Sequence, residues 1–172
     1  ERKQESQVIL KQEPSAKNRI DKMAHPILVT AAIIQNKEGK YLITQRPDSV
    51  HNGGRWEFPG GKLDFGEEPR VSLEREIKEE IGIKIKAESI LEYSSHLYGG
   101  EKYIVLIGFI CKYISGEIQK IHIKDFAWAT PQEMKKYDVT EADLPFIEKF
   151  NLSYANFCLF SVLSYFLQGR KL

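Results

Sequence analysis

The chain has few of the residues from which many small proteins build covalent or metal cross-links. Its 172 residues include only two cysteines, Cys111 and Cys158, which lie far apart with no CxxC or histidine-rich pattern. That spacing favours two reduced thiols in a cytoplasmic protein over a disulfide or a zinc site. The formal net charge is only +1, so the chain has no broad basic field for a nucleic acid polymer. These shortages favour a small-molecule partner.

A long uninterrupted hydrophobic run is also missing. The strongest candidate, Leu152–Leu167, falls short of the roughly 20 apolar residues that span a bilayer and contains several serines and an asparagine. We expect residues 151–172 to form an apolar helical tail that packs on the core or against a second copy in a homodimer. A helix lying on a membrane surface is the alternative, although Arg170 and Lys171 offer too little charge for firm membrane association.

The first residues of the sequence are polar and mixed in charge. They lack the apolar stretch of a signal peptide. We therefore expect residues 1–24 to be an N-terminal arm or extension, with Met23 as a candidate start of the chain. What remains, residues 25–150, has the usual length of one domain.

The periodicity of residues 25–150 is that of an α/β domain. Ile27–Gln35 and Lys40–Gln45 are strand-like runs on either side of a turn, and they predict a β-hairpin. A long helix is predicted between Pro69, which suits a first helical turn, and Gly82, which suits a helix end. Four further strands are predicted at Trp56–Phe58, Ile83–His96, Lys102–Ser115 and Phe126–Trp128. Strands that frame a long helix, with short helices before residue 150, predict an α/β/α sandwich around a mixed β-sheet.

The long helix carries three glutamates on one face. Glu76, Glu79 and Glu80 stand at i, i+3 and i+4, where like charges weaken an isolated helix. An acidic helix is usually only a solvated face. Here, however, a bound divalent cation is the natural compensation. Mg²⁺ fits best, because hard cations take carboxylate oxygens and keep waters for a phosphate-bearing substrate.

The spacing of these glutamates matches a family signature. Gly61–Ile83 reads GKLDFGEEPRVSLEREIKEEIGI, which places Glu67 six residues after the first glycine and Arg75-Glu76 eight residues later. The stretch resembles the complete box of the Nudix hydrolases, and the preceding WEFPGGK is similar to the MutT branch of that family. The resemblance implies the Nudix α/β/α sandwich with a mixed sheet.

The same resemblance implies an activity. It points to the hydrolysis of a (deoxy)nucleoside triphosphate, an oxidised or CTP-like one included, to the monophosphate and pyrophosphate by attack of water on the β-phosphorus. The box is shared by hydrolases of ADP-ribose and of dinucleoside polyphosphates, so these nucleoside diphosphate derivatives stay open as substrates. A catalytically idle Nudix module that only binds a nucleotide or a protein is a further alternative.

The resemblance also implies a metal site. The expected ligands of Mg²⁺, with Mn²⁺ as the alternative cation, are the backbone carbonyl of Gly60 and the carboxylates of Glu76, Glu79 and Glu80. The family commonly has a further glutamate where this chain has His122. Because histidine is a poor magnesium ligand, Asp125 or Glu117 is the expected substitute, or the site binds fewer metals or prefers manganese.

Four residues of the box receive catalytic roles from the same resemblance. Glu76 is expected to orient or deprotonate the attacking water, with Glu79 as the alternative. Arg75 is expected to pair with a neighbouring glutamate and fix its side chain. Glu67 is expected to reach metal-bound water or to lock the loop, and compensation of the helix dipole is the simpler reading of that residue.

Residues outside the box match the positions where the MutT pattern contacts substrate. Those expected on the phosphates, the sugar and the base are Arg46, His51, Phe58 and Lys62. Phe58 could instead only fill the core. Asp143 stands where the oxidised-guanine enzyme carries an amide, and an ionised carboxylate there favours an exocyclic amino group, as in a CTP-like substrate. The alternative for Asp143 is a cap for the helix that follows.

Overall fold

The computed structural model describes residues 25–150. The predicted arm, 1–24, and the predicted apolar tail, 151–172, lie outside the described residues. The strands are β1 (Ile27–Ile34), β2 (Tyr41–Gln45), β3 (Trp56–Glu57), β4 (Gly60–Lys62), β5 (Lys84–Tyr98), β6 (Lys102–Ser115) and β7 (Asp125–Ala129). The helices are α1 (Pro69–Ile81), α2 (Pro131–Met134) and α3, over residues 144–150.

The strands form two sheets. The larger has the order β4-β1-β6-β5, in which β1 and β6 run parallel while β4 and β5 pair antiparallel to their neighbours. The smaller is antiparallel, with the order β3-β2-β7. The predicted α/β class with a mixed sheet is therefore confirmed.

The predicted hairpin of the first two strands is wrong. β1 pairs with β4 and β6, and β2 pairs with β3 and β7, so both edges of each strand are already taken. The isolated antiparallel bridge between Gln35 and Tyr41 connects the ends of the two strands. The turn after Gln35 thus carries the chain from one sheet to the other, because β1 is buried on both faces and forms the middle of its own sheet.

The core lies on both faces of β1. Ala31 and Ile33 point to one side, with Phe58 and Phe146, whereas alternate residues of the strand point to the other side. On that second side α1 inserts Leu73, Ile77 and Ile81, each fully buried. These residues recur every four positions and so form one stripe of the helix. Burial of each contributes about 1.5–3 kcal/mol. The charged face of α1 is therefore turned away from this part of the core.

Both ends of α1 are capped, at Gly82 as the sequence predicts and at Glu68, which the sequence analysis did not name. The Glu68 side chain accepts hydrogen bonds from the backbone N–H groups of Arg70 and Val71, at 2.9 and 3.1 Å. At the other end Gly82 has a φ of 76°, and its N–H donates to the Lys78 carbonyl at 3.1 Å. A left-handed φ is open to glycine without a steric penalty. The caps fix where the helix begins and ends, and hence which way its glutamates face.

Cys111 is a free thiol, buried in the α1 side of the core. Burial raises its pKa to about 12, which leaves it un-ionised and chemically quiet. The reduced state of the two cysteines stays a prediction, and Cys158 lies outside the described residues. Within residues 25–150, no helix has the length and apolar character needed to cross a bilayer.

Candidate active site

A cleft of about 330 Å³ opens beside α1, between the two sheets. That volume lies in the range of small-molecule pockets, which is roughly 300–1,000 Å³. Eight of the residues predicted to form the site line it, namely Arg46, His51, Phe58, Gly60, Lys62, Glu76, Glu80 and Asp143. The other predicted residues, Glu67, Arg75 and Glu79, do not line the cleft and lie beside it on the flank of α1.

Arg75 connects the glutamates of this flank. Its Nε and Nη2 donate to the Glu67 carboxylate at 3.0 and 2.9 Å, and Nη1 donates to Glu76 at 2.8 Å and to Glu79 at 3.2 Å. The hydrogen bonds from Arg75 lower the pKa of Glu67 to about 2. One guanidinium thus offsets much of the repulsion that the sequence predicts on this helix face. The predicted pairing of Arg75 with a neighbouring glutamate agrees with this geometry.

Gly60 and Gly61, the first residues of β4, bring the backbone against α1. A Cβ on Gly61 would lie 2.2 Å from Cδ of Glu76, so any other residue there would push this carboxylate out of its position. A Cβ on Gly60 would lie 2.0 Å from the Thr30 carbonyl oxygen, inside the β1–β4 pairing. The two glycines therefore have different tasks. Gly61 makes space for a functional side chain, and Gly60 allows the strands to pair.

Glu80 faces the cleft, where the positive charge of Arg46 only partly offsets its own. No hydrogen bond or ion pair from residues 25–150 reaches its carboxylate. Burial raises its pKa to about 8, and the like charges of Glu57 and Glu76 add to the shift. A divalent cation next to this oxygen would replace the missing hydration and neutralise the repulsion. The oxygen-rich donor set of Glu76 and Glu80 therefore fits a hard cation such as Mg²⁺.

Other predicted metal ligands lie away from this point. The Glu79 side chain is 54% exposed and bonded to Arg75. Asp125 pairs with Lys120 at 2.6 Å, and neither it nor Glu117 or His122 lines the cleft. Within the described part of the chain, no group of three His, Cys, Asp or Glu side chains is already gathered as a metal cage. Of the predicted metal ligands, Gly60, Glu76 and Glu80 are therefore the ones that line the cleft.

Basic side chains gather across from Glu80. Nη1 of Arg46 donates to both oxygens of Glu57, at 2.7 and 2.6 Å, and its Nε donates to the His51 carbonyl at 2.9 Å. Lys62 and Lys102 line the same cleft. Burial and the positive charges of Lys62 and Arg46 lower the pKa of Lys102. Three cations this close to one another repel, so a polyanion such as a triphosphate would stabilise the arrangement.

The far end of the cleft is formed by Phe58 and Asp143. Asp143 is only 3% exposed, and its Oδ1 accepts a hydrogen bond from the backbone N–H of Phe58 at 3.0 Å. Its Oδ2 accepts a hydrogen bond from the Thr140 hydroxyl. Burial raises the pKa of Asp143 to about 7, and the charge of Glu57 adds to the shift. The Asp143 side chain therefore bonds to the end of β3 and not to the helix that follows, so the capping alternative is wrong.

Phe58 takes part in both the cleft and the core. Its ring is 3% exposed and packs against Phe146 and Phe150, with centroids 6.2 and 6.1 Å apart. One edge still lines the cleft. The two readings of Phe58 from the sequence are therefore compatible with each other.

Several cleft residues were missed from the sequence. Glu57, Tyr98, Lys102 and Thr140 line the cleft beside the predicted residues. Glu57 had a readable signal, since it is the one charged residue between two large apolar ones in WEF. Tyr98 had none, because it reaches the cleft only through the sheet. Its ring meets that of His51 edge-on at 5.5 Å, and its oxygen accepts a hydrogen bond from the Ala142 N–H at 3.3 Å.

Comparison with known proteins identifies the family. The NUDIX domain model matches residues 25–150. The CTP pyrophosphohydrolase of Escherichia coli is 34% identical over 125 residues, which cover 72% of this chain and 90% of that protein. The 8-oxo-dGTP diphosphatase of Proteus vulgaris is 40% identical over 82 residues, which cover 48% of this chain and 72% of that protein.

A solved structure has the same fold. The MutT protein of Methanosarcina mazei superimposes with a TM-score of 0.68 at 24% identity, covering 75% of this chain and 96% of that one. The chain belongs to the Nudix family and is a MutT-like hydrolase that acts on phosphoanhydride bonds.

Proposed function

We propose that this Nudix hydrolase cleaves a nucleoside triphosphate to the nucleoside monophosphate and pyrophosphate, with CTP and dCTP as its preferred substrates. One observation carries the proposal. A single cleft holds the helix carboxylates Glu76 and Glu80 and the cations Arg46 and Lys62, and the buried carboxylate of Asp143 closes its far end. Phosphates and a base can therefore be bound at the same time.

The end of the cleft that contains Glu76 and Glu80 is here called the reaction end, and its residues can be given separate tasks. Glu76 and Glu80, with the Gly60 carbonyl, would hold Mg²⁺, and Glu79 would join them by leaving Arg75. When bound, the cation supplies charge neutralisation on the phosphates and acidifies a water. Glu76 is the residue that orients or deprotonates the attacking water, because it lines the cleft and Arg75 fixes its carboxylate at 2.8 Å. Glu79 is less suited to this task, since it lies on the exposed flank.

The substrate phosphates meet the basic side chains. Nη1 and Nε of Arg46 are already engaged, and this leaves Nη2 as the donor that no described residue occupies. The bond to Glu57 thereby fixes the direction in which that donor points. Lys62 and Lys102 add two further positive charges on the same wall. Charge-assisted bonds of this kind are the strong ones in phosphate recognition.

The preference for cytosine is argued from Asp143. Each of its carboxylate oxygens accepts one bond from the protein and keeps a lone pair for a second donor. An exocyclic amino group such as that of cytosine can supply that donor. A base carbonyl, which the NH₂ group of an amide at this position could serve, finds no donor in an ionised carboxylate. Support comes also from the relative named for CTP, which aligns with 72% of this chain.

The test is a panel of separately assayed substrates. It contains normal and oxidised nucleoside triphosphates, with ADP-ribose and a dinucleoside polyphosphate as the alternative substrates. Pyrophosphate and nucleotide products are measured with Mg²⁺ and then with Mn²⁺. We expect kcat/KM to be highest for CTP or dCTP, with pyrophosphate as the second product. Turnover of ADP-ribose without turnover of any triphosphate would contradict the substrate class, and a clear preference for 8-oxo-dGTP would contradict the role given to Asp143. No turnover of any compound would support the idle binding module.

A further inference from the structure

We infer that Arg55 is a positioning residue for base selection: its guanidinium fastens the segment 138–143 to β3 and so sets where Asp143 stands in the cleft. The inference rests on the proposed function for its substrates. It concerns a residue that does not line the cleft and has no place in the Nudix box.

Arg55 uses every nitrogen of its side chain on this one segment. Nε donates to the Asp138 carboxylate at 3.1 Å, and Nη2 donates to the Val139 carbonyl at 2.6 Å. Nη1 donates to both oxygens of Glu141, at 2.8 and 2.7 Å. The side chain is only 22% exposed, so these bonds are partly shielded from water. A planar guanidinium is suited to such a fork, and lysine offers no equivalent geometry.

The same segment is bonded through its backbone to β3. The Trp56 N–H donates to the Asp138 carbonyl, and the Thr140 N–H donates to the Trp56 carbonyl, both at 2.8 Å. Arg55 directly precedes β3. Its four side-chain hydrogen bonds therefore extend the contact between β3 and residues 138–141 by one residue. Residues 138–141 are thereby hydrogen-bonded to two successive residues, Arg55 and Trp56.

This fastening lies directly next to the base end of the cleft. Thr140 and Asp143, the third residue after it, both line the cleft, and Asp143 accepts its hydrogen bond from Phe58, two residues after Trp56. A loosened segment would therefore move the Asp143 carboxylate relative to Phe58. Misplacement of a recognition group by about 1 Å can cost a hundredfold in rate.

The backbone of Arg55 also connects this region to the phosphate end. The Arg46 N–H donates to the Arg55 carbonyl at 2.9 Å. The effect of a side-chain change should nevertheless be confined to the base end, because that backbone bond needs no side chain. The expected signature is a change in KM and in selectivity, with kcat largely kept.

The experiment compares Arg55→Met and Arg55→Lys with the wild type, using the ratio of kcat/KM for CTP to that for 8-oxo-dGTP. We expect Arg55→Met to lower this ratio about tenfold, mainly through KM for CTP, and Arg55→Lys to recover part of it. The matched control is Arg70→Met. Arg70 also joins two elements, through Glu68 and the Glu88 carbonyl, but on the far side of α1, and its loss should leave the ratio unchanged.

Hydrogen exchange supplies a readout that does not depend on turnover. The amide of Thr140, which bonds to Trp56, should exchange faster in Arg55→Met and unchanged in Arg70→Met. If Arg55→Met does not fold, Glu141→Gln takes its place, because it weakens the forked pair and keeps the bonds to Asp138 and Val139.

The outcomes separate the two proposals. A folded Arg55→Met or Glu141→Gln that matches Arg70→Met in both the ratio and the exchange of Thr140 would overturn the role of Arg55 and leave the proposed function intact. A wild-type enzyme without turnover of any triphosphate would overturn both.

Discussion

The contacts that build the two ends of the cleft differ greatly in sequence separation. At the reaction end, Arg75 bonds to Glu76, one residue away, and to Glu67, eight residues away. The selection end is the base end of the cleft, where Asp143 lies. There Asp143 bonds to Phe58 across 85 residues, and Arg55 bonds to Glu141 across 86. In the proposed function, the bond-breaking chemistry is therefore built within one loop and helix, whereas substrate choice depends on the closed fold.

Charge and burial differ between the ends as well. The reaction end collects like charges that an arginine and a cation must neutralise, and its outer carboxylate, Glu79, is half-exposed. The selection end hides one carboxylate, Asp143, among protein donors. Substitutions at the first end should therefore change the rate with little effect on folding. Substitutions at the second should change selectivity, and stability with it.

The largest effect is expected for Glu80→Gln. The amide keeps the shape of the side chain but loses the negative charge that would hold the cation, and metal stabilisation of a transition state is worth several kcal/mol. We expect kcat to fall roughly a thousandfold. Because Glu80 is repelled by Glu57 and Glu76, the Tm without metal should stay equal or rise. Kinetics and thermal melts measure both, and Lys78→Gln on the same helix is the control.

Full activity of Glu80→Gln would contradict the reaction end as described. A drop in both activity and Tm would also count against it, since the charge would then be supporting the fold.

The next largest effect is expected for Gly61→Ala. Its new methyl group would lie 2.2 Å from the Glu76 carboxylate carbon, so the side chain that we propose to orient water must move. We expect kcat to fall about a hundredfold, with KM and Tm changed little. Gly60→Ala is the contrasting variant, because its methyl would meet the Thr30 carbonyl at 2.0 Å and should lower the Tm too. Equal losses of Tm in the two variants would show that Gly61 is only structural.

A smaller effect is expected at the selection end. Asp143→Asn keeps an acceptor for the Phe58 N–H but exchanges the other oxygen for an NH₂ donor. We expect kcat/KM for CTP to fall about tenfold and that for 8-oxo-dGTP to fall less or to rise. The control is Glu148→Gln, an exposed carboxylate on α3. An unchanged preference would remove Asp143 from base recognition.

The last expected effect concerns stability against pH and does not change turnover. Burial raises the pKa of Asp143 from 3.8 to about 7. Between about pH 4 and pH 7, Asp143 is therefore protonated in the folded state and ionised in the unfolded chain. The folded state therefore gains stability as the pH falls through 7, and the contribution is lost as the pH rises through that value. Relative to Asp143→Asn, the wild type should gain about 2 kcal/mol between pH 7 and pH 5.

Urea unfolding of both proteins at the two pH values measures this difference, because every other titrating group is common to the pair. Parallel pH dependence of the wild type and Asp143→Asn would show that Asp143 titrates as an ordinary exposed carboxylate.

The contrast in reach explains which parts were predictable from the sequence. The limits of α1 at Pro69 and Gly82, its charged face and the Arg75 pairing depend on neighbours within a few positions, and local sequence reveals them. The β1–β2 hairpin failed for the opposite reason. A turn flanked by two strand-like runs looks the same whether the runs pair with each other or enter two sheets, and the parallel partner β6 lies more than 70 residues along the chain.

The site shows the same division. Spacing placed Glu76 and Glu80 in the cleft, but it could not show that Glu79 turns outward to Arg75. Position alone suggested Asp143, and only the folded chain shows that its oxygens are bonded to Phe58 and Thr140. Arg55 carries no local signal, since its four bonds all go to residues more than 80 positions away.

The most direct test of the proposed reaction is the hydrolysis of CTP by the full chain in ¹⁸O-labelled water with Mg²⁺, followed by ³¹P NMR and mass analysis of the products. A cleft that holds the carboxylates of α1 over the inner phosphates should yield CMP and pyrophosphate, with the label in pyrophosphate after attack on the β-phosphorus. Release of CDP and labelled orthophosphate would contradict it, because the bond broken would then be the outer one.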